Sequence, residues 1–196
     1  MELHLDYETY SEVDIKKTTT SVYTSAPTTE ILMLGWAYDD NTSQLWEPRL
    51  GPLPDEVLQG LMNPSVTLKA FNAGFEDGIT RHKLGVDVNY QRWDDTQIKA
   101  LSRGFPAKLD DVLKAIGLPT KEKEGGQLIN LFCSPAPKNH KADRYDWTNR
   151  PEQWRKFGSY CRQDVTVERN LDRWLDHVQQ RPRPPGIVRL QAGSTP

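Results

Sequence analysis

The stretch FGSYCRQDVTVERNL, residues 157–171, constrains the chain more than any other. Phe157, Tyr160, Cys161, Val167, Leu171, Trp174 and Leu175 recur at the i, i+3, i+4 spacing of one apolar helical stripe. Asp164 sits in the middle of that stripe. A core-facing carboxylate is costly to bury unless something pairs with it. The ordinary partner is a Lys or Arg one turn away, but positions 160 and 168 are Tyr and Glu, and positions 161 and 167 are Cys and Val. Tyr160 lies one turn before Asp164 on the same face, so the two could jointly hold a water molecule.

The N-terminal segment LHLDYETYSEVD alternates with period two, placing Leu3, Leu5 and Tyr7 on one face and His4, Asp6 and Glu8 on the other. Asp6 and Glu8 therefore share a face, with Cα atoms roughly 6.6 Å apart by strand rise. On an exposed edge strand this is a solvated face without chemical meaning. In a central strand, covered on both faces, two such acids need a cation.

The remaining segments decide between these readings. A Ser/Thr-rich stretch, KKTTTSVYTSAPTTE, reads as a loop. EILMLGWAYDD and SQLWEP are strand-like runs joined by a short polar turn. LPDEVLQGLM reads as a helix, SVTLKAFNAG as a strand, and FEDGITRHKLG as a helix stopped by Gly85. VNYQRWDDT is a short strand entering helix DTQIKALSRG, and AKLDDVLKAIGLP is a helix with stop signals at Gly117 and Pro119. Residues 120–150 are irregular around a short amphipathic piece at Leu128–Phe132. The last helix begins near Pro151, a favourable first helical residue, and ends near Gln180 before RPRPPG. The order β, β, β, α, β, α, β, then helices, predicts an α/β fold with one mixed five-stranded sheet and helices on both faces. The expected domain is 1–180, followed by a Pro/Arg-containing tail, 181–196.

Composition narrows the partners. The 196 residues suit one domain, and a formal charge of −2 is unlike the strongly basic domains that coat nucleic acid. It leaves room for an enzyme that grips a few nucleotides, provided metal ions cover its acids. Cys133 and Cys161 form no CxxC and no zinc pattern with the four histidines, so free thiols in a reducing compartment are expected. Neither a signal-peptide pattern nor an apolar run of about 20 residues is present, so the expected location is the cytoplasm, that of the host if phage-encoded, with no membrane partner.

A third stretch joins the first two. In AFNAGFEDG, residues 70–78, Asn72 ends a strand while Phe75, Glu76 and Asp77 open a helix. Alone, such residues read as a turn former and as acids complementing a helix dipole. Strand DxE, strand-to-helix NxxFE and helix YxxxD in this order resemble the DEDD superfamily of 3′–5′ exonucleases, in the subgroup with tyrosine in its third motif. The likeness covers about residues 1–178 and is nearest to the proofreading exonuclease domain of bacteriophage-type family A DNA polymerases. The stretches that carry it are LDYETYSEVDIK, AFNAGFEDGITRHKLGV, RWDDTQIKALSRGFPAKLDDVLKAIGLP, KEKEGGQLINLFCSP and YCRQDVTVERNL.

The resemblance implies an RNase H-like fold whose carboxylates hold two divalent ions, Mg²⁺ or Mn²⁺. Asp6 and Glu8 match its first motif, Glu76 the acid of the second and Asp164 that of the third; Tyr160 matches the tyrosine that positions the attacking water. Tyr7, Thr9, Asn72 and Phe75 fall where these enzymes meet the 3′-terminal nucleotide. The superfamily's second acid is usually Asp; here it is Glu76, preferred over Asp77, which points about 100° away around a helix. Asp94 and Asp95 read mainly as structural or capping residues. Trp36, Trp46, Trp93, Trp154 and Trp174 read as core anchors. Trp147 reads equally as an anchor or a substrate contact, and Lys121, Lys123, Lys138, Lys141 and Arg144 as solvated charges or phosphate contacts. The implied activity is metal-dependent hydrolysis of single-stranded DNA 3′ ends to 5′-mononucleotides, by a stand-alone enzyme or as a proofreading domain; the tail RPRPPGIVRLQAGSTP favours the first, with a polymerase bound in trans as a candidate partner. The alternatives are a 3′–5′ exoribonuclease and a non-catalytic nucleic-acid or polymerase-docking module.

Overall fold

Strand β1, Glu2–Tyr10, runs through the centre of the sheet. Around it lie β2, Glu30–Tyr38; β3, Gln44–Trp46; β4, Thr67–Ala70; and β5, Trp93–Asp95, in the order β3-β2-β1-β4-β5. β1 pairs antiparallel with β2 and parallel with β4, which makes the sheet mixed, as the element order predicts. The computed structural model describes residues 1–120, 125–137, 139 and 142–179; the expected tail 181–196 lies outside them. The β1–β2 register shifts between Glu8 and Thr9, a bulge that bends the strand beside its second acid.

The alternation of β1 sorts the two faces. Leu3, Leu5 and Tyr7 join Leu34, Trp36 and Leu68 in a core closed by α2, Asp55–Met62, and α3, Ala73–Ile79. The opposite face meets α6, Gly125–Phe132, and α7, Pro151–Gln179. Helices α4, Thr96–Ser102, and α5, Leu109–Ile116, pack against the second half of α7. Gly117, at φ 71°, ends α5 in the left-handed region that glycine adopts without penalty.

Two expectations are corrected. The Ser/Thr-rich loop contains α1, Thr20–Ser25, whose first turn is capped by Thr19 Oγ1 accepting from Val22 N–H at 3.3 Å. Its Thr, Ser, Val and Tyr residues are mediocre helix formers. Burial of Tyr23 and Thr24 against α3 outweighs that local preference.

The single stripe of α7 is in fact two. Phe157, Tyr160 and Cys161 pack with Leu128 and Phe132, whereas Val167, Leu171 and Leu175 pack with Val112 and Leu113. Burying each large apolar side chain contributes about 1.5–3 kcal/mol, so both halves hold α7 down. Asp164 falls at the break between them.

Candidate active site

Close approach of α7 to the sheet builds the site. At Gly35 of β2, an added Cβ would lie 2.7 Å from the Cys161 carbonyl oxygen and 2.9 Å from Val165 Cγ2. Only a residue without a side chain admits the helix here, and Gly35 is the partner of Asp6 in the β1–β2 ladder. The Cys161 thiol points at the Asp6 carbonyl oxygen, Sγ to O 3.6 Å. As a result Asp6, Glu8 and Asp164 each offer a carboxylate oxygen within 4.8 Å of the others. Glu8 and Asp164 are buried and Asp6 is half-buried.

Tyr160 sits one turn before Asp164 and hydrogen-bonds its carboxylate. Burial, and then the charges of Asp164, Glu8 and Asp6, push the phenol far above its usual range, so it stays an O–H donor. Its ring stacks on Phe157, centroids 6.5 Å apart. On another side it lies against Gly125, where an added Cβ would run into the ring.

Glu76, on α3, lies beside this trio rather than within it. It is 3% exposed, and its Oε2 has no hydrogen-bond partner among the described residues. Burial, then the charge of Asp6, raises its pKa well above the ordinary glutamate value; main-chain N–H groups, Tyr7's among them, offset only part of that. An orphaned buried carboxylate oxygen, coupled to one member of an all-oxygen cluster, fits a hard divalent cation. Asp77, its neighbour, instead accepts from Trp93 Nε1 at 3.0 Å.

A groove of about 480 Å³ opens from Glu8 between α1, α3 and α6. Thr9, Phe75, Tyr23, Ile129 and Cys133 line it. Thr9 Oγ1 and the Tyr23 hydroxyl are hydrogen-bonded at 2.9 Å, and the Tyr23 and Phe75 rings lie 5.9 Å apart. Tyr7 borders the groove, but its ring is buried in the core and its hydroxyl bonds Thr80 at 3.1 Å. Asn72 is exposed at φ 72°, a left-handed turn residue whose N–H donates to Asp95. It does not line the groove.

The other polar residues divide as follows. Asp95 caps α4 through Gln97 N–H and also receives the Ala73 N–H, so it is a structural cap. Asp94 is held by Lys69 and Lys99. Trp36, Trp93 and Trp154 are buried, and Trp46 and Trp174 half-buried. Trp147 packs edge-on against Trp154 and under Arg49. Arg144 covers the Tyr10 ring and pairs with Glu30; Lys121, Lys123, Lys138 and Lys141 lie outside the described residues. Both cysteines are free thiols, and Cys133 Sγ lies 3.8 Å from Glu8 Oε2. Sequence reasoning missed Tyr23, Ile129 and Cys133. For Tyr23 the available signal was Thr19, a capping residue just ahead of it.

The mixed five-stranded sheet flanked by helices is an RNase H-like fold. Ribonuclease D of Escherichia coli, described as an exoribonuclease involved in structured RNA processing, shares the fold at a TM-score of 0.50 and 17% identity, over 91% of this chain and 43% of that one. The EXO domain of Aedes aegypti Nibbler aligns at a TM-score of 0.44 and 12% identity, over 91% of this chain and 80% of that domain. In sequence, the chain is 38% identical over 174 residues to a DNA polymerase of Bacillus phage SP02, covering 86% of this chain and 27% of the polymerase. It thus spans about a quarter of the length of the curated relative it matches. No protein-family model matches it. Among the described residues, no helix is long and apolar enough to cross a membrane.

Proposed function

We propose that the protein is a 3′–5′ exonuclease that hydrolyses single-stranded DNA ends to 5′-mononucleotides. The observation that carries this reading is the meeting of Asp6 and Glu8 with Asp164, beside Tyr160 and at the mouth of a groove. DNA is preferred to RNA because the curated relative is a DNA polymerase. Action on the growing strand of a polymerase, proofreading, belongs to the same proposal.

Asp6, Glu8, Asp164 and Glu76 would hold two divalent cations, Mg²⁺ or Mn²⁺. Bound there, the ions would make a water acidic enough to attack near neutral pH and balance charge on the leaving 3′ oxygen. The carboxylates fix where those charges sit and, once neutralised, no longer repel the phosphate. Tyr160, an O–H donor aimed at Asp164, orients the nucleophilic water instead of removing its proton; a phenol with so high a pKa is a poor base. Thr9, Phe75 and the main chain at Tyr7 would seat the terminal nucleotide, with the Phe75 ring giving an apolar wall to a base.

The test is a time course on 3′- and 5′-labelled single-stranded DNA and RNA of one sequence, with Mg²⁺, Mn²⁺ or EDTA, and Asp164→Ala in parallel. A metal-dependent ladder shortening from the DNA 3′ end, absent in the variant, is expected. A ladder on RNA alone would move the substrate to RNA. No ladder on either would leave a docking module.

A further inference from the structure

Next to the carboxylate trio, on the same faces of β1 and α7, lies a second set of buried charges. His4, two residues before Asp6, donates from Nδ1 to Glu168 Oε2 at 2.6 Å. Glu168, one turn after Asp164, receives the Thr96 hydroxyl on its other oxygen. One turn further, Asp172 is gripped by Lys69 Nζ at 2.9 Å and Lys99 Nζ at 2.6 Å. His4, Glu168, Lys69, Asp172 and Thr96 are all under 5% exposed.

The spacing gives this set its meaning. β1 and α7 run in opposite directions, since His4 meets Glu168 while Asp6 and Glu8 meet Asp164. Two residues of strand advance about 6.6 Å and four residues of helix about 6.0 Å. The rungs of the two elements therefore stay nearly in step, and the His4–Glu168 bond is the rung next to the candidate active site. Sliding α7 by one rung, or turning it by one residue (about 100°), would carry Asp164 and Tyr160 away from Asp6 and Glu8. Apolar packing alone tolerates small slides. A bidentate carboxylate held by an imidazole and a hydroxyl on two different elements does not, because both donors would be left unpaired in the interior.

We propose that Glu168 and Asp172 are positioning residues: latched to β1, β4 and α4, they fix the register of α7 that brings Asp164 and Tyr160 to the acids of β1. This rests on the exonuclease reading above. Neither residue touches the reacting atoms.

The experiment uses the full chain with Glu168→Ala, Glu168→Gln and Thr96→Val. It measures Mn²⁺ binding by calorimetry without substrate, kcat and KM on single-stranded DNA, and the melting temperature. Glu168→Ala is expected to weaken Mn²⁺ binding about tenfold and lower kcat about 30- to 100-fold with KM within twofold, since a misplacement near 1 Å costs about that much. Glu168→Gln, which keeps a hydrogen-bonding group toward His4 and Thr96, should recover most of both. If Glu168→Ala does not fold, Thr96→Val carries the test, with kcat about three- to tenfold down. Folded variants with Mn²⁺ affinity and kcat within twofold of the parent overturn the proposal, as does a Gln variant that loses as much as Ala. A parent protein that binds Mn²⁺ but cleaves nothing overturns the exonuclease reading instead, and the Mn²⁺ affinities then decide this one. A parent that binds no Mn²⁺ overturns both.

Discussion

Gly35→Ala is the sharpest test of how the site is assembled. The added Cβ would sit 2.7 Å from the Cys161 carbonyl oxygen, about 0.7 Å short of the 3.4 Å at which ordinary contact begins. Val165 Cγ2, at 2.9 Å, belongs to a side chain that can rotate aside. The carbonyl belongs to the backbone of α7 and cannot, so the helix must back away from the sheet by most of that 0.7 Å. Overpacking of this kind costs about 1–3 kcal/mol, a fall in melting temperature of about 2–12 °C for a domain of this size. Because Asp164 rides one turn beyond Cys161, the same retreat pulls it from Asp6 and Glu8. At about 100-fold per ångström of misplacement, a roughly 30-fold loss of kcat is expected. The assay pairs thermal unfolding with the rate of shortening of 3′-labelled single-stranded DNA. Gly126→Ala is the control, because nothing lies within 4 Å of its added Cβ. A Gly35→Ala protein melting within 1 °C of the parent and cutting at its rate would show that α7 does not owe its position to this contact.

Asp6→Ala and Asp164→Ala should each abolish cleavage with circular dichroism unchanged, whereas Tyr160→Phe should slow single-turnover cleavage without changing Mn²⁺ affinity by more than twofold. Gly125→Ala should lower kcat more than it lowers the melting temperature, because the added methyl displaces the Tyr160 ring; equal rates in parent and variant would refute that role. Glu76→Gln should raise the melting temperature in EDTA while impairing Mg²⁺ binding and cleavage. The sign follows from the raised folded pKa of Glu76: its contribution in the metal-free protein is complete below the ordinary value of 4.5 and is lost as pH rises through the folded value. A melting curve in EDTA should therefore fall with pH above 4.5 more steeply for the parent than for Glu76→Gln. Saturating Mg²⁺ should reverse the loss, adding about 2.7 kcal/mol at 100 times its Kd.

What the sequence could show depended on whether local pattern and tertiary demand agreed. They agree in β1, where the alternation that buries Leu3 and Leu5 also aims His4, Asp6 and Glu8 at α7, so both the central strand and its acids were legible. They conflict in α1, where β-branched and small polar residues hide a helix that exists because Tyr23 and Thr24 are buried against α3. The apolar stripe of α7 was visible, but a stripe records only that a face is covered, not by how many partners. Its division around Asp164 depends on α5 and α6 arriving from distant parts of the chain. The same limit hid the roles of Glu168 and Asp172: His4 and Thr96 reach Glu168 from 164 and 72 residues away, and Lys69 and Lys99 reach Asp172 from 103 and 73, across the fold and at no helical or strand period. Asp164 posed the opposite case. Its lack of a basic neighbour at helical spacing was itself the signal, since a carboxylate that stays buried without one needs its charge balanced by something brought from β1. The acids of β1 add negative charge instead of balancing it, so the cluster of Asp6, Glu8 and Asp164 suits the divalent cation of the proposed function.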